Sequence, residues 1–273
     1  MRLKLLLIAV IVLGSALVAR AGDNILRDNW KWNKSGKCQY GSIQIELFNS
    51  HQSISAVRFR RGRLQTDIKE TPGALADSLS ALCEATGAVA AVNGSYFNVK
   101  TLQSNTFVRD EGKNVSNDVR EEESRVDALL YIGKKKVFIS PYDYGHADLL
   151  SEKYPNAVSS GPLLLQNGEF FKQEWPNESF FSKRHPRTIV GTVGRWVYFI
   201  VIDGRFPNDG IGTTIRETAE IAKMFGLKDA INLDGGGSST LWARGLGVIS
   251  HPYDNKRYDN SGQRIVPNFV YAR

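Results

Sequence analysis

The sequence predicts an α+β fold, a single domain with a mixed central β-sheet flanked by helices. The first observation is a series of short apolar runs with a period of two, such as 42–48 and 53–60, which is typical of strands. The second is a pair of segments, 71–87 and 214–226, that carry helix-capping residues at both ends. The third is the strand–helix–strand order of 196–234, which resembles a crossover unit within one sheet.

Residues 1–21 resemble a secretory signal peptide and are excluded from the fold. Arg2 and Lys4 precede an almost unbroken apolar run at 5–18, and Ala19-Arg20-Ala21 places small residues where a signal peptidase reads the chain. The apolar run is shorter than the roughly 20 residues that a membrane span needs, although an uncleaved anchor is the alternative. Cleavage after Ala21 predicts a periplasmic or secreted protein with no stable membrane insertion.

The net charge favours anionic substrates only weakly and does not indicate a nucleic-acid partner. The whole chain has a formal net charge of +7, and the expected signal segment contains three of its basic residues and no acidic ones. The mature chain therefore keeps about +4, a modest balance that attracts anions only weakly. The basic residues form no concentrated stripe, and Lys134-Lys135-Lys136 is expected at the tip of a hairpin, so nucleic acid is not predicted as a partner.

Two cysteines, Cys38 and Cys83, remain after removal of the signal segment. Export would permit a disulfide between them, but sequence does not give their spatial separation, so the pairing stays open. The sequence has no Cys-x-x-Cys pair and no His/Cys cluster with zinc spacing, so no metal-ligating residues are predicted.

Residues 22–87 are expected to form an N-terminal strand–strand–helix portion. Its two strands flank a polar turn at 49–52. Its helix is expected to begin with Thr71 as the N-cap and Pro72 in the first turn, and to end before Gly87.

Residues 88–273 are expected to form the domain that carries the functional site. A buried strand at 88–92 ends in a polar loop at 93–97, which would bring functional side chains to a sheet edge. The polar segment 98–127 is expected at the surface, either as a lid over the site or as a plain mobile loop, and the aromatic-rich segment 170–182 as a loop near the site. Further strands are expected at 128–132, 136–139, 188–193, 196–202, 230–233 and 239–243, with a helix from Thr214 to about 225. The segment 157–165 is apolar with an internal break at Ser159-Ser160-Gly161-Pro162.

The most distinctive motif is Asn232-Leu233-Asp234-Gly235-Gly236-Gly237-Ser238-Ser239-Thr240. Three consecutive glycines lose much conformational entropy on folding, so they are expected where the backbone turns tightly or approaches a ligand closely. Their amides could line an anion-binding concavity, and Asp234 could act as a base, a nucleophile or an acceptor for sugar hydroxyls. The motif lacks the Gly-Lys-Ser/Thr ending of a P-loop and the spacing of a dinucleotide fingerprint. The alternative is a tight turn with a capping aspartate.

Several other residues have side chains suited to a sugar-phosphate site. Arg187 precedes a strand and could recognise phosphate with its forked guanidinium, and Arg264 could supply a second anion contact. Asp203 ends a very apolar strand and makes a candidate carboxylate pair with Asp234, as glycoside hydrolysis usually requires. His185 could serve in acid–base chemistry or simply pack.

These motifs resemble those of the phosphodiester glycosidase family. The resemblance rests on the run at 232–240, on His185-Pro186-Arg187-Thr188 and on Asp203-Gly204-Arg205. Three shorter motifs follow the same family order: Asn93-Gly94-Ser95-Tyr96-Phe97, Ser160-Gly161-Pro162 and Arg264 with Asn268. The resemblance spans about 88–272, and the Asp-Gly-Gly-Gly-Ser-Ser-Thr match is long and specific.

The resemblance implies an exported hydrolase that cleaves the bond between a sugar C1 and a phosphate oxygen. Arg187 and Arg264 would hold the phosphate, while Asp234 and Asp203 would face the sugar, one of them as base or nucleophile. The expected catalytic residues are Asp234, Asp203 and Arg187, and the expected substrate contacts are Asn93, Ser160, Gly161, Gly204, Gly235, Gly236, Gly237, Ser238, Ser239, Arg264 and Asn268. No cofactor is expected to be required, although a single divalent cation could bind near Asp234.

Two alternatives to this function remain open at the level of sequence. One is a non-catalytic protein that binds a glycan or phosphoglycan, and the other is a phosphodiesterase that cuts P–O rather than C–O. The sugar, the aglycone, the anomer and the oligomeric state are not predicted.

Overall fold

The computed structural model describes Leu26 and residues 29–62, 66–71, 73–116, 124–133, 136–142 and 153–273. The expected signal segment, the lysines at 134–135 and most of 142–154 lie outside the described residues. Within these ranges no helix is long and apolar enough to cross a membrane.

Strands make up most of the regular structure. In chain order the strands are β1 (Asn33–Ser35), β2 (Cys38–Leu47), β3 (Ser50–Arg60), β4 (Thr66–Glu70), β5 (Asp77–Ser78), β6 (Ala90–Asn93), β7 (Phe97–Asn98), β8 (Gln103–Ser104), β9 (Val108–Asp110), β10 (Lys113–Ser116), β11 (Ala128–Gly133), β12 (Lys136–Pro141), β13 (Asn156–Ser160), β14 (Leu163–Gln166), β15 (Glu169–Phe170), β16 (Arg187–Val193), β17 (Trp196–Ile202), β18 (Asp229–Asn232), β19 (Leu241–Ala243), β20 (Gly247–Val248), β21 (Ile265–Val266) and β22 (Asn268–Ala272). The helices are α1 (Leu79–Thr86), α2 (Ser179–Ser182) and α3 (Ile215–Met224), with 3-10 turns at Gly73–Leu75 and Gly236–Ser238.

Three sheets enclose the main core. The largest has the order β1-β2-β3-β17-β16-β18-β14-β15, and two five-stranded sheets have the orders β10-β9-β13-β11-β12 and β20-β19-β6-β22-β4. Every strand pairing among the described residues is antiparallel. The prediction of one mixed central sheet is therefore wrong, although β-sheets and helices do combine in one fold. The crossover from β17 to β18 joins two parallel strands, but β16 lies between them and pairs antiparallel with both.

Both faces of the large sheet are buried along most of β17, which explains the unbroken apolar sequence of that strand. Val197, Phe199 and Val201 face the core shared with the five-stranded sheets. Tyr198, Ile200 and Ile202 alternate with them and face α3. A strand covered on both faces needs apolar side chains at every position, not at every second one.

The N-terminal hairpin confirms two predicted strands and moves their turn. β2 and β3 pair over their whole length and are joined by Phe48 and Asn49, both at positive φ (56° and 54°). A two-residue turn with positive φ at both positions matches the twist of a hairpin, whereas the predicted turn at 49–52 would have begun β3 three residues later.

The predicted start of α1 at Thr71 is wrong. Gly73–Leu75 forms a 3-10 turn, and Asp77–Ser78 pairs with β21, so the helix begins only at Leu79. Its N-cap is Ser78, whose side chain accepts from the amide of Ala81, and its end at Gly87 (φ 69°) is as predicted. The helix α3 also agrees with prediction, because Thr214 and Glu217 form a reciprocal capping box.

The polar segment at 98–127 is more ordered than predicted over its described part. It contains β8, β9 and β10, and β9 pairs with β13 in a five-stranded sheet. Val108 and Phe107 are buried there, so part of this segment belongs to the core and not to a surface loop.

Candidate active site

A cavity of about 340 Å³ opens where the ends of β16 and β18 meet the loops that follow β6 and α2. Its lining consists of Tyr96, Arg125, Ser179, Phe180, His185, Arg187, Arg205, Asp234, Gly235, Gly236, Gly237 and Arg264. The site therefore draws on residues from 96 to 264 and brings together Asp234, the glycine run and two of the predicted arginines.

The glycine run passes close to neighbouring chain segments. A Cβ on Gly235 would lie 2.7 Å from the carbonyl oxygen of Pro186. Gly236 has φ 62°, a conformation that favours glycine, and its amide donates to Pro186 at 2.9 Å. A Cβ on Gly237 would collide with the Asp254 carboxylate and the Arg264 guanidinium. Close packing therefore favours glycine at 235 and 237, and the positive φ favours it at 236.

Asp234 is held at the cavity by its own backbone. Its amide donates to the carbonyl of Gly94 at 3.0 Å, and its carbonyl accepts from Nδ2 of Asn93 at 2.8 Å. The amide of Gly235 donates to Oδ1 of Asp234 at 2.8 Å, which orients the half-buried carboxylate. The amides of Gly235 and Gly236 are thus both bonded within the protein, which does not favour the predicted role of the glycine amides as anion donors.

Arg187 lines the cavity, but its guanidinium also donates hydrogen bonds to three backbone carbonyls of the protein. Its Nε donates to the carbonyl of Thr213 at 3.0 Å, and its Nη2 donates to those of Phe180 (2.7 Å) and Lys183 (3.2 Å). The side chain is 1% exposed, and this burial lowers the pKa of Arg187 to about 10. The group remains cationic at neutral pH, so it contributes a fixed positive charge in a poorly hydrated place.

Three further arginines complete a cationic wall. Arg264 forms a bidentate pair with Asp254, with both N–O distances at 2.8 Å. The guanidinium of Arg205 lies over the ring of Tyr253 and 3.5 Å from Nδ1 of His185. The guanidinium of Arg125 stacks over Phe180 with its carbon 4.8 Å from the ring centre.

His185 is a titratable group on the cavity wall. Burial lowers the pKa of His185, and the nearby charges of Arg187 and Arg205 lower it further. The ring is therefore neutral at pH 7, a state in which one ring nitrogen donates and the other accepts a proton.

Asp203 does not line this cavity. It is 1% exposed, and its Oδ2 accepts from Oγ of Ser53 at 2.6 Å and lies 2.7 Å from Nδ1 of His251. Its Oδ1 accepts from the backbone amide of His251 at 2.8 Å. Both oxygens of Asp203 therefore have protein partners, which favours a structural role, and the predicted carboxylate pair with Asp234 beside a substrate stays a prediction.

Several predicted substrate contacts also serve the packing around the cavity. Asn93 binds Asp234, Thr188 and Thr240, while Asn268 accepts from the amide of Ser95 and donates to Ser104. The residues that lie outside the lining of the cavity are Asn93, Asp203, Ser160, Gly161, Gly204, Ser238, Ser239 and Asn268. These residues are not part of the lining, so their direct contact with substrate stays a prediction.

Sequence reasoning missed five lining residues. They are Tyr96, Arg125, Ser179, Phe180 and Arg205. Two of them, Tyr96 and Arg205, lie inside motifs that the sequence analysis had already singled out. Ser179 and Phe180 lie within 170–182, the aromatic-rich segment expected near the site, and the guanidinium groups of Arg125 and Arg187 both lie over the Phe180 ring.

Neither a metal cluster nor a disulfide is found in the described part of the chain. No group of three or more His, Cys, Asp or Glu side chains is arranged there to hold a metal ion. Cys38 and Cys83 are both buried and unbonded, in separate core clusters.

Comparison with known proteins gives a family and a fold. A sequence profile of the phosphodiester glycosidase family matches residues 86–273. No curated protein matches this chain significantly.

Solved structures share the fold at low sequence identity. The catalytic domain of zebrafish N-acetylglucosamine-1-phosphodiester alpha-N-acetylglucosaminidase, auto-inhibited by its pro-peptide, is 21% identical with a TM-score of 0.66, covering 91% of this chain and 92% of that one. A hypothetical protein from Synechocystis is 13% identical with a TM-score of 0.67, covering 89% of this chain and 63% of that one, so this chain spans less than two thirds of its length. A putative exported protein from Burkholderia pseudomallei is 14% identical with a TM-score of 0.59, covering 82% and 74% respectively.

Proposed function

The chain belongs to the phosphodiester glycosidase family, and we propose that it is an exported hydrolase that cleaves the glycosidic bond of a sugar-1-phosphodiester. The observation that carries the proposal is one half-buried carboxylate, Asp234, in a cavity that four arginines line. A phosphodiester is anionic, so a cationic wall favours its binding and stabilises the negative charge that gathers on the departing phosphate.

The proposed reaction breaks the bond between C1 of the sugar and the bridging oxygen. The electron pair of that bond leaves with the phosphate monoester, which is stable as an anion and needs little protonation. An oxygen from water bonds to C1, and the proton that it loses is taken up by a base. Asp234 faces the anomeric centre as base or nucleophile, and Arg187, Arg205 and Arg264 face the phosphate.

The role of Asp234 determines the stereochemistry of the product. If Asp234 activates water, the configuration at C1 is inverted in a single displacement. If it attacks C1 and is then released by water, the configuration is retained. NMR of the sugar during the first turnovers distinguishes the two, because the anomers have not yet equilibrated.

A screen of sugar-1-phosphodiesters with identification of both products tests the proposed function. Hydrolysis in oxygen-18 water should place the label in the free sugar. Label in the phosphate would make the protein a phosphodiesterase that cuts P–O, and tight binding without any product would make it a glycan-binding protein. Activity is expected to persist after treatment with a chelator, and its loss would assign a divalent cation to the site.

Export is part of the same proposal. The N-terminal segment predicts cleavage after Ala21 and a mature chain that begins at Gly22. N-terminal sequencing of the protein from periplasmic and culture fractions tests this, and an intact Met1 in the membrane fraction would indicate an uncleaved anchor.

A further inference from the structure

A basic groove lies on the large sheet, remote from the cavity described above. It encloses about 410 Å³. Its lining consists of Lys34, Gly36, Lys37, Cys38, Gln39, Arg58, Arg60 and Trp196. Four of these side chains are cationic and none is acidic, and none of the four forms an ion pair with a carboxylate of a described residue.

The register of the strands places these side chains on one face of the sheet. Lys34 lies opposite Gln39, Gln39 opposite Arg58, and Arg58 opposite Tyr198, which makes a row across β1, β2, β3 and β17. Directly opposed residues of antiparallel strands share a face, so this row points to the side of the sheet that α3 covers elsewhere.

The next row on the same face carries Arg60, while Lys37 lies in the turn just before β2. Arg60 lies opposite Trp196, two residues along each strand from Arg58 and Tyr198. The helix α3 ends before this corner, where Phe225 contacts Tyr198, so no helix covers the groove within the described residues.

Arg58 is held rigidly at the centre of the groove. Its guanidinium carbon lies 4.1 Å from the ring centre of Trp32 and 4.6 Å from that of Trp196. Its Nε donates to Oε1 of Gln39 at 2.8 Å, and its Nη1 donates to the hydroxyl of Tyr198 at 3.0 Å. A guanidinium fixed in this way loses little conformational entropy when it meets an anion.

The convergence of like charges favours a ligand. Four cations around one concavity repel each other, and no acidic residue is among the described residues that line it. The two lysines and Arg60 are exposed, so several anionic groups could reach them at the same time. A linear ligand with repeated charges matches a row of cations better than one small anion does.

The groove is separate from the catalytic cavity. Trp196 is the first residue of β17, whereas Arg187 at the cavity lies opposite Ile202, the last residue of that strand. Six residues of extended strand separate the two ends by about 20 Å. A ligand in the groove therefore does not occupy the cavity.

We propose that the basic groove is a binding site for a linear polyanion that carries repeated phosphate groups. The site is independent of the proposed hydrolytic activity, since none of its residues lines the catalytic cavity. Its consequence is that the protein attaches to phosphate-bearing polymers through a surface other than its active site.

Binding of short-chain inorganic polyphosphate to the full chain tests the proposal. The tryptophan fluorescence should change on binding, because Trp32 and Trp196 contact Arg58. The double variant Lys34→Ala/Lys37→Ala should bind about tenfold more weakly at low salt. The matched control, Lys100→Ala/Lys113→Ala, removes two exposed lysines elsewhere and should bind within about twofold of the wild type.

Two outcomes would overturn the proposal. Equal weakening by both double variants would mean attraction by net charge alone. Loss of binding in Arg205→Ala, with normal binding in the groove variant, would place the polyanion in the catalytic cavity. Because Asp234→Asn is expected to bind polyphosphate normally, failure of the hydrolytic proposal and failure of this one are measured separately.

Discussion

The carboxylate of Asp203 anchors the segment that follows β20 to the end of β17. It accepts from the amide of His251 and contacts the His251 ring, while Ser53 of β3 donates to it from the other side. The same segment contains Asp254, which forms a bidentate ion pair with Arg264 at the cavity wall. We therefore expect Asp203 to be a positioning residue that acts on the cavity through these other residues.

Substitution of the two aspartates should separate these roles. Asp234→Asn is expected to lower kcat at least about a hundredfold, because it removes a charge that faces the reacting carbon. Asp203→Asn is expected to raise KM about tenfold with kcat within about threefold, and to reduce stability by about 1–3 kcal/mol. Steady-state kinetics with a sugar-1-phosphodiester, together with thermal unfolding, measure both effects.

The two variants serve as controls for each other. Asp234→Asn should unfold at the wild-type temperature, which shows that its kinetic effect is not a folding defect. If Asp203→Asn instead lost kcat as severely as Asp234→Asn while KM stayed normal, Asp203 would belong to the reacting groups.

Arg187 should matter to stability as much as to activity. Arg187→Lys keeps the charge but loses the forked donors that bond the carbonyls of Thr213, Phe180 and Lys183. Unsatisfied buried carbonyls predict a loss of about 2–4 kcal/mol in the free energy of unfolding, measured by urea denaturation. Arg205→Lys is the matched control at the exposed side of the same cavity, and it should lower activity without shifting the urea midpoint. Equal midpoints for both variants would contradict the structural role of Arg187.

Among the helices, the sequence predicts a boundary that nearby residues determine but not one that a distant strand determines. The capping box of α3 lies within four residues, so the sequence alone predicts where that helix begins. The start of α1 depends on the pairing of Asp77–Ser78 with Ile265–Val266, almost two hundred residues away along the chain. No window of local sequence contains that contact, and Thr71-Pro72 is a good helix start in isolation.

The 3-10 turn at Gly236–Ser238 links the glycine run to the arginine wall. Gly237→Ala would drive a methyl group into the Asp254–Arg264 pair, and the ends of both side chains have to move aside because both lie at the clash. Activity should fall at least about tenfold, while the change in stability stays at about 1–3 kcal/mol. Kinetics and thermal unfolding of this variant test the prediction. Normal activity would show that the position of the Arg264 guanidinium is not required for activity.

The order of the motifs in the chain predicts which residues lie around the cavity. It does not predict which of them line the cavity and which lie behind the lining. Asn93, Asp203 and Asn268 are all polar, buried and close to strand ends, as residues that line a site often are. Their roles depend on which strands lie beside them, and β3, β6 and β22 come from distant parts of the chain. The sheets that bring these strands together are the part of the fold that the sequence did not reveal.

The same long-range packing is expected to make the free energy of unfolding depend on pH. Glu70 on β4 is buried beside Asp110, and Ser104 donates to both of its carboxylate oxygens. Burial raises the pKa of Glu70 from an ordinary value of 4.5 to about 7, and the charge of Asp110 raises it as well. The folded state therefore holds a proton on Glu70 at pH values where the unfolded chain has lost it.

The sign of the effect follows from proton binding. Between about pH 4.5 and 7 the native state binds more protons than the unfolded state, so stability falls as pH rises through this window. Glu70→Gln should flatten the fall in unfolding temperature between pH 5 and pH 8, because glutamine does not titrate. Glu84→Gln, at an exposed position of α1, is the control and should leave the slope unchanged. A Glu70→Gln profile parallel to the wild type would show that another group carries the dependence, whereas a flattened profile ties it to the contact between β4 and the β8–β9 segment.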